Sequence, residues 1–535
     1  MLLRGGASDL YGSSALAGVV QLVRRSPGAG DLFAEVSGGE QGTAQGSLWA
    51  GTRRAGWELS AAAEVLDTEG YVPVAPGFRG EVDAEAGSRH RAAEVMGAHR
   101  PSEGGWTSPA LSLAGSWFDE DRDNGTVLQV NDTISRRAWL GADWWLEAGS
   151  LTVKAWGGDQ GFHQTFTAVA DDRDSERLVR EQQVPAEELG GSARFTSPVA
   201  GGRHTLLAGI EVRRLEGVSE ERIFLPGRVV PSDSGGRQRL EGIYVEDVAR
   251  LHPKLSLAAG LRFDRWQNRD RFPEPGVPGE RDEEAVSPRL SLLWQVRPAL
   301  GVTAAAYRSF RAPTLNELYR GFRVGDVVTA PNAALEAERL RGAEAGVLWQ
   351  PAGSGAAWLR ATVFRMELEE AIANVTLSVG PEVIQRQRRN LGETRSPGLE
   401  VEGERRWGER WRTGFAYLWV DAEVTAFPAD PRLVGSRVPQ VPEHQASLTV
   451  RWSGRRGTWT SLSARWADSQ LDDDLNLFPL GSLFTVDLQA AHPLTPHLEI
   501  FAAVENLVDD DYLIGRTPVP TIGAPRLLRL GVRWR

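Results

Sequence analysis

The sequence of 535 residues predicts an all-β chain that folds as a 22-stranded antiparallel transmembrane β-barrel. Three observations lead to this fold class. Apolar and polar residues alternate along most of the chain, short turns alternate with long polar stretches, and tryptophans gather beside the short turns. A run of about 18 apolar residues, the signature of a transmembrane helix, is absent, so the predicted membrane crossings are strands.

The alternation is clear in the final segment of the chain. Leu528, Leu530 and Val532 share one face there, and Arg529 and Arg533 share the other. A period of two is the signal of a β-strand with two different faces. Backbone polar groups cannot stay unpaired in lipid, so the sheet must close, with one face toward lipid and the other toward a wet lumen.

Ten short turns set the strand count. They are rich in Gly, Pro and Ser, as tight turns require, and lie at 52–56, 101–105, 147–149, 198–203, 252–254, 295–299, 350–356, 407–410, 453–457 and 492–497. Ten turns join twenty strands, and one further strand at each end, near 31–37 and 525–534, makes 22. The polar stretches between the turns, such as 265–286, 310–336 and 367–397, are predicted to be long loops.

Eight tryptophans adjoin these turns: Trp57, Trp106, Trp294, Trp349, Trp411, Trp452, Trp459 and Trp534. Their position predicts an aromatic girdle at one membrane interface. Barrels of this width are plugged transporters, because their own side chains cannot fill the lumen.

Composition narrows the function. The sequence has no cysteine, which excludes disulfides and thiolate sites, and its net charge of −11 argues against nucleic acid as a partner. No catalytic constellation stands out, so we expect neither an enzyme nor a cofactor. Asp119, Asp121 and Asp123 have the spacing of half a calcium loop, but Asn124 occupies the sixth place and no glutamate closes the loop. A solvated loop is therefore favoured there, and no metal site is predicted.

The opening stretch RGGASDLYGSSALAGVVQLVRR resembles the last segment of the plug domain of TonB-dependent outer-membrane receptors. The residues that match this motif are Arg4, Gly5, Ser8, Tyr11, Gly12, Ala15 and Gly18. Further stretches resemble the same family in the same order, at 242–266, 287–319, 332–347 and 504–535. The resemblance implies a plug remnant over residues 1–30 and a barrel over residues 31–535. Since the family carries a leader, an energy-coupling segment and a longer plug, we expect Met1 to be an internal start.

The resemblance also implies a function. It indicates a receptor of the bacterial outer membrane that takes up a scarce nutrient, such as a ferric siderophore or cobalamin. The implied partners are an inner-membrane TonB-type complex, reached through the segment before the plug remnant, and the lipid and lipopolysaccharide of the membrane.

Long loops on the extracellular side hold the candidate ligand residues, which are Arg311, Glu317, Tyr319, Arg323, Arg386, Arg388, Arg389 and Arg395. Guanidinium groups and aromatic rings suit an anionic chelate or a carboxylate. Plain solvation of the loops is the alternative for each of these residues.

Two other functions stay open at this point. A passive or export pore without a plug has the same strand pattern. A soluble β-propeller also combines strands with tryptophan, but it requires repeats of about 40–45 residues, which the sequence lacks.

Overall fold

The computed structural model describes residues 2–101, 105–106, 108–272, 279–351, 357–380 and 383–535. Within these residues, 22 long strands pair with their neighbours in antiparallel register and close into one barrel. In chain order they are β1 Asp31–Gly39, β2 Ala44–Arg54, β3 Trp57–Thr68, β4 Ser88–His99, β5 Ala110–Asp123, β6 Val130–Leu146, β7 Gly149–Val169, β8 Ala186–Val199, β9 His204–Leu225, β10 Arg228–His252, β11 Leu255–Asp270, β12 Glu280–Arg297, β13 Leu300–Arg311, β14 Glu338–Trp349, β15 Ala357–Val379, β16 Ile384–Trp407, β17 Trp411–Val420, β18 His444–Ser453, β19 Trp459–Ala467, β20 Leu483–Pro493, β21 Leu498–Glu505 and β22 Leu527–Trp534.

The first and last of these strands close the barrel. β1 pairs antiparallel with β22, with Ala34 opposite Trp534 and Gly39 opposite Arg529. Each of the ten predicted turns lies between the two strands that it was predicted to join, although 102–104 and 352–356 lie outside the described residues. The predicted strand number and closure are confirmed.

The two faces of each strand differ as the alternation predicts. On β22, Leu528, Leu530 and Val532 point outward and are 40–56% exposed, as expected for side chains that meet lipid. Arg533 points into the lumen and pairs with Glu35 on β1 at 2.5 Å and with Glu499 on β21 at 3.3 Å. The outer wall is therefore apolar and the inner wall is charged.

Several strands extend far beyond the membrane on the side of the long connections. β9 and β10 have 22 and 25 residues, whereas about 9–11 residues cross a bilayer. The stretches 265–286 and 367–397 are predicted to be loops, but their described residues lie mostly in β11, β12, β15 and β16, and that prediction is wrong. Both faces of these extensions are in water, so the apolar alternation disappears. Exposed ion pairs, such as Arg341 with Glu367 at 2.6 Å, link neighbouring strands instead.

The predicted girdle is largely present. Six of the eight tryptophans are 45–67% exposed near the turns: Trp57, Trp106, Trp294, Trp349, Trp411 and Trp534. Trp452 is half-buried and lies opposite the outward-facing Trp411 on β17 and opposite Thr460 on β19, so all three residues are on the outer face. Trp459 precedes Thr460 and therefore faces the lumen, where the Arg451 guanidinium lies 4.6 Å from its ring. The assignment of Trp459 to the girdle is therefore wrong, because successive residues of a strand face opposite sides of the sheet.

Smaller elements lie in the lumen and in the loops. The helices are α1 Ser8–Tyr11 and α2 Leu315–Tyr319, and the 3₁₀ turns are Gly12–Ser14, Pro76–Phe78, Ala200–Gly202, Pro431–Leu433 and Arg455–Gly457. The short strands are Leu2–Arg4, Gly18–Val20, Glu176–Gln183, Phe322–Val324, Val327–Ala330, Glu423–Ala426, Gln470–Leu471, Pro479–Leu480, Leu513–Gly515 and Thr521–Ile522. In the described part of the chain, neither helix has the length or the apolar character needed to span a bilayer.

Candidate functional site

The N-terminal segment, residues 2–20, packs against the inner wall of the barrel. Its two short strands pair with each other, with Leu3 opposite Val19. The Arg4 guanidinium binds two carboxylates on the lumen face of β16, where Nη1 lies 2.9 Å from Glu400 and Nη2 lies 2.9 Å from Glu402. This fork holds the start of the segment against the wall by two charge-assisted hydrogen bonds.

Glycine is required where the segment meets β13. A Cβ on Gly5 would lie 2.7 Å from the Tyr307 hydroxyl, and one on Gly6 would lie 2.2 Å from Ser309 Oγ. Such distances exclude a larger side chain unless the Tyr307 and Ser309 side chains move, and the positive φ of Gly5 also favours glycine. Next to this contact, the Ser8 N–H donates to Ser309 Oγ at 3.5 Å. The N-terminal segment therefore packs directly against β13.

The other predicted motif residues have varied surroundings. A Cβ on Gly12 would lie 2.8 Å from the Arg262 guanidinium, and one on Gly18 would lie 2.8 Å from the Leu3 carbonyl oxygen. Ala15 is buried, and Tyr11 is exposed. The motif residues therefore lie in one compact segment inside the lumen, and its assignment to a plug stays a prediction.

The loop after β13 begins at an ion triad. Arg311 donates to both carboxylate oxygens of Glu317 at 3.0 Å and also binds Glu338, which is only 4% exposed. Burial opposes the charge of Arg311, but its hydrogen bonds to the two carboxylates outweigh burial and raise its pKa. Glu317 in turn caps α2: it accepts from the Thr314 N–H at 2.8 Å and donates its own N–H to Thr314 Oγ1 at 3.2 Å.

Two further contacts fix the end of α2. The Tyr319 hydroxyl donates to Asp270 and accepts from Asn268 Nδ2 at 2.6 Å, and burial together with the bond to Asp270 raises the pKa of Tyr319. Arg388 on β16 donates to the backbone carbonyls of Asn316 and Arg320, each at 2.6 Å. The loop is thus joined to β11 on one side and to β16 on the other.

Positive charge concentrates beyond α2. Arg320 donates to Gln182 at 2.5 Å and to Gln164 at 2.7 Å, and its guanidinium lies 4.5 Å from the Phe162 ring. Burial, followed by repulsion from Arg388, lowers the pKa of Arg320 to about 10.

Further arginines extend this region. Burial lowers the pKa of Arg388 although Glu317 lies nearby, and burial together with Arg177 and Arg180 lowers the pKa of Arg323. We call Arg177, Arg180, Arg320, Arg323 and Arg388 the arginine cluster. Its carboxylate contacts include Glu221, 3.3 Å from Arg180, and Asp326, 3.4 Å from Arg323.

The candidate ligand residues thus divide into two groups. Arg311, Glu317, Tyr319 and Arg388 come together around α2, and Arg323 adjoins them. The other three are occupied elsewhere: Arg386 donates to Thr376 at 3.3 Å, Arg389 to Gln387 at 3.1 Å, and Arg395 to Glu423. Ligand contact by any of them stays a prediction.

Sequence reasoning missed Arg320 and its partners. Gln164 lies on β7 and Gln182 on the short strand Glu176–Gln183, more than a hundred residues before Arg320. Their meeting depends on how that short strand pairs with β7 and β9, and no local motif of the sequence signals it.

The three aspartates of the calcium-like stretch lie in a strand and not in a loop. Asp119, Asp121 and Asp123 occupy the end of β5, where extended backbone holds alternate residues almost 7 Å apart. Within the described ranges, no group of three or more acidic, histidine or cysteine side chains is placed to hold a metal ion.

Two other loops on this side are joined by a buried ion pair. Asp83 accepts from Arg173 Nε at 2.8 Å and from Nη2 at 2.5 Å, and it also accepts the Gly80 N–H at 2.9 Å. Burial works to raise the pKa of Asp83, but these hydrogen bonds and the Arg173 charge outweigh it and lower the pKa. The pair therefore stabilises the loop contact above the unfolded-state pKa of about 3.9, and this contribution disappears as the pH falls through the lower, folded-state value.

We therefore expect the two loops to stay together from pH 7 to pH 5 and to separate only below about pH 4. The absence of native cysteine allows spin labels at the exposed positions Phe78→Cys and Asp172→Cys, and the distance between them is measured as a function of pH. Asp83→Asn should remove the acid transition. Separation already at pH 6 would contradict the assignment.

A family model described as TonB dependent receptor-like, beta-barrel, matches residues 77–507. The chain belongs to the TonB-dependent receptor family. This TonB-dependent receptor is a protein of the bacterial outer membrane and a transporter, not an enzyme. The predicted family and location are confirmed, and the closed barrel shows that the propeller alternative is wrong.

Relatives of the receptor match along nearly its whole length. The metal-pseudopaline receptor CntO of Pseudomonas aeruginosa is 25% identical, over 96% of this chain and 76% of the relative. The iron-regulated outer membrane virulence protein of Vibrio cholerae is 22% identical, over 95% of this chain and 75% of the relative.

Solved structures resemble the receptor in fold. The ferric yersiniabactin uptake receptor FyuA of Yersinia pestis has a TM-score of 0.80 at 16% identity, covering 100% of this chain and 84% of that one. The copper transporter OprC has a TM-score of 0.83 at 15% identity, covering 100% and 85%. At these identities the likeness shows the fold alone.

Proposed function

We propose that this receptor imports an anionic metal chelate, such as a carboxylate-bearing ferric siderophore, and first holds it at the arginine cluster. The observation that carries the proposal is the excess of positive charge around Arg320, a half-buried guanidinium whose pKa is lowered by burial and by Arg388. An anion placed there reduces the repulsion between the two arginines. Arginine forks also bind carboxylates with two parallel hydrogen bonds.

The named relatives support a metal-bearing cargo. CntO, which matches 96% of this chain, is named as a receptor for metal-pseudopaline. We further propose that residues 1–30 are the end of a plug, which a TonB-type complex displaces to admit the chelate. The contacts of Arg4 with Glu400 and Glu402 support this placement, because they hold the segment inside the lumen.

Binding should depend on ligand charge. The purified full chain is titrated with ferric citrate, with a neutral ferric trihydroxamate and with cobalamin, and tryptophan fluorescence is followed. We expect ferric citrate to bind most tightly and Arg320→Gln to weaken its binding about tenfold to a hundredfold, the loss expected for about 1.5–3 kcal/mol from a charged hydrogen bond.

Arg222→Gln is the matched control, because Arg222 lies near this region but pairs with Glu181 on the exposed surface. Its affinity should stay within twofold of the parent. Equal affinity for the neutral and anionic complexes would contradict the proposal. A persistent large conductance of the full chain in a planar bilayer would instead favour the plugless pore.

A further inference from the structure

Two neighbouring turns at the opposite end of the barrel form an unusually basic surface. The β16–β17 turn and its flanks read ERRWGERWR over 404–412, and the β18–β19 turn and its flanks read RWSGRRGTW over 451–459. β17 pairs with both β16 and β18, so the two turns lie side by side. By the topology of outer-membrane barrels, short turns face the periplasm.

The positive charge of these turns has few partners. Arg412 pairs with Glu404 at 2.7 Å. The side chains of Arg405, Arg410, Arg455 and Arg456 are exposed and have neither an ion pair nor a hydrogen bond within the described residues. Glu409 is the other acidic residue of the two stretches. A protein with a net charge of −11 thus carries a locally cationic patch.

The patch adjoins the apolar outer wall. Trp407 and Trp411 are 50% and 49% exposed and pair with each other across the turn. The Arg405 guanidinium lies 3.9 Å from the Trp407 ring centre. Phe415 lies on the outer face of β17, four residues after Trp411. It is exposed, and so is Leu448, which lies opposite it on β18. Aromatic rings at this level mark the interface between acyl chains and headgroups, so the unpaired arginines lie at headgroup depth.

We propose that this patch, Arg405, Arg410, Arg455 and Arg456 with Trp407 and Trp411, binds the phosphate headgroup of an anionic phospholipid in the periplasmic leaflet. Guanidinium groups bind phosphate oxygens through paired N–H donors, and basic residues beside a membrane favour anionic lipids. The tryptophan rings and the apolar wall below them contact the acyl chains of the same lipid. This site is independent of the proposed chelate and lies at the other end of the barrel.

The test is native mass spectrometry of the detergent-purified full chain with added cardiolipin, a phospholipid with two phosphates. Arg410→Gln, Arg455→Gln and Arg456→Gln are combined in one variant. The matched control combines Arg54→Gln, Arg203→Gln and Arg297→Gln, which remove the same charge from three turns that are not adjacent to one another. All six positions are exposed, and heat-modifiable gel migration verifies folding of both variants.

We expect the patch variant to bind cardiolipin at least tenfold more weakly than the parent and the control variant to stay within threefold. Zwitterionic phosphatidylethanolamine should bind weakly to all three proteins. Unchanged binding by the patch variant, equal losses in both variants, or equal retention of phosphatidylethanolamine would overturn the proposal. Displacement of cardiolipin by an equal concentration of inorganic phosphate would also overturn it, because the site would then recognise a free anion.

Discussion

Replacing Leu261 with arginine should lower the free energy of unfolding of the barrel by about 2–4 kcal/mol. Leu261 lies on the outer face of β11, is 49% exposed and stands opposite Val245 on β10. It follows the start of its strand by six residues, which places it roughly 15 Å from the turn and near the middle of the apolar band. A guanidinium at that depth has only lipid around it.

The matched substitution is Ser192→Arg. Ser192 lies on the lumen face of β8, opposite Lys154 on β7 and Glu211 on β9, where water and a carboxylate are available to a new cation. We expect its effect to stay below about 1 kcal/mol. Denaturant unfolding of both variants in the same lipid bilayer measures the difference. Equal losses would mean that the apolar face of β11 does not meet acyl chains.

The barrel could be predicted because two local signals survive in a single sequence. Alternation such as that of Leu528 and Arg529 reports a wall with lipid on one side and water on the other. Gly- and Pro-rich turns mark where the chain reverses direction between two neighbouring strands. Above the membrane both signals fail, because both faces of the strand extensions are in water. For this reason the sequence predicts loops over 265–286 and 367–397, where the structure has strand extensions.

The site was predictable only in part, for a related reason. Arg311 and Glu317 lie close together in the sequence, and their capped helix has a local signature. Tyr319 meets Asn268, and Arg320 meets Gln182, through contacts between the loop after β13 and strands that are distant from it in the sequence. A local sequence pattern does not encode such contacts. The sequence predicts that Tyr319 and Arg388 are available to a ligand. In the structure the side chains of both residues instead make hydrogen bonds within the protein.

Removing Arg311 should open the loop that carries Arg320. Arg311→Ala leaves Glu338, which is 4% exposed, without its cation, and it also deprives Glu317 of both of its guanidinium hydrogen bonds. Removing one partner of a buried ion pair costs about 3–5 kcal/mol. The backbone hydrogen bonds between the barrel strands do not depend on this triad. We therefore expect the lost stability to appear as local opening of residues 312–337. Hydrogen exchange in detergent measures it segment by segment.

Two further variants separate the effect of the Arg311 charge from the effect of its packing. Arg308→Ala, three residues earlier on β13, removes an exposed arginine that has no ion pair among the described residues, and exchange in the loop should then be unchanged. Adding Glu338→Gln to Arg311→Ala neutralises the stranded carboxylate and should restore part of the protection. Parent-like exchange in Arg311→Ala would show that the triad does not hold the loop. Opening without rescue would show that Arg311 acts through packing. With charge rescue, the triad becomes the element that positions Arg320 at the barrel mouth, and the loss of anion binding should follow the opening of the loop.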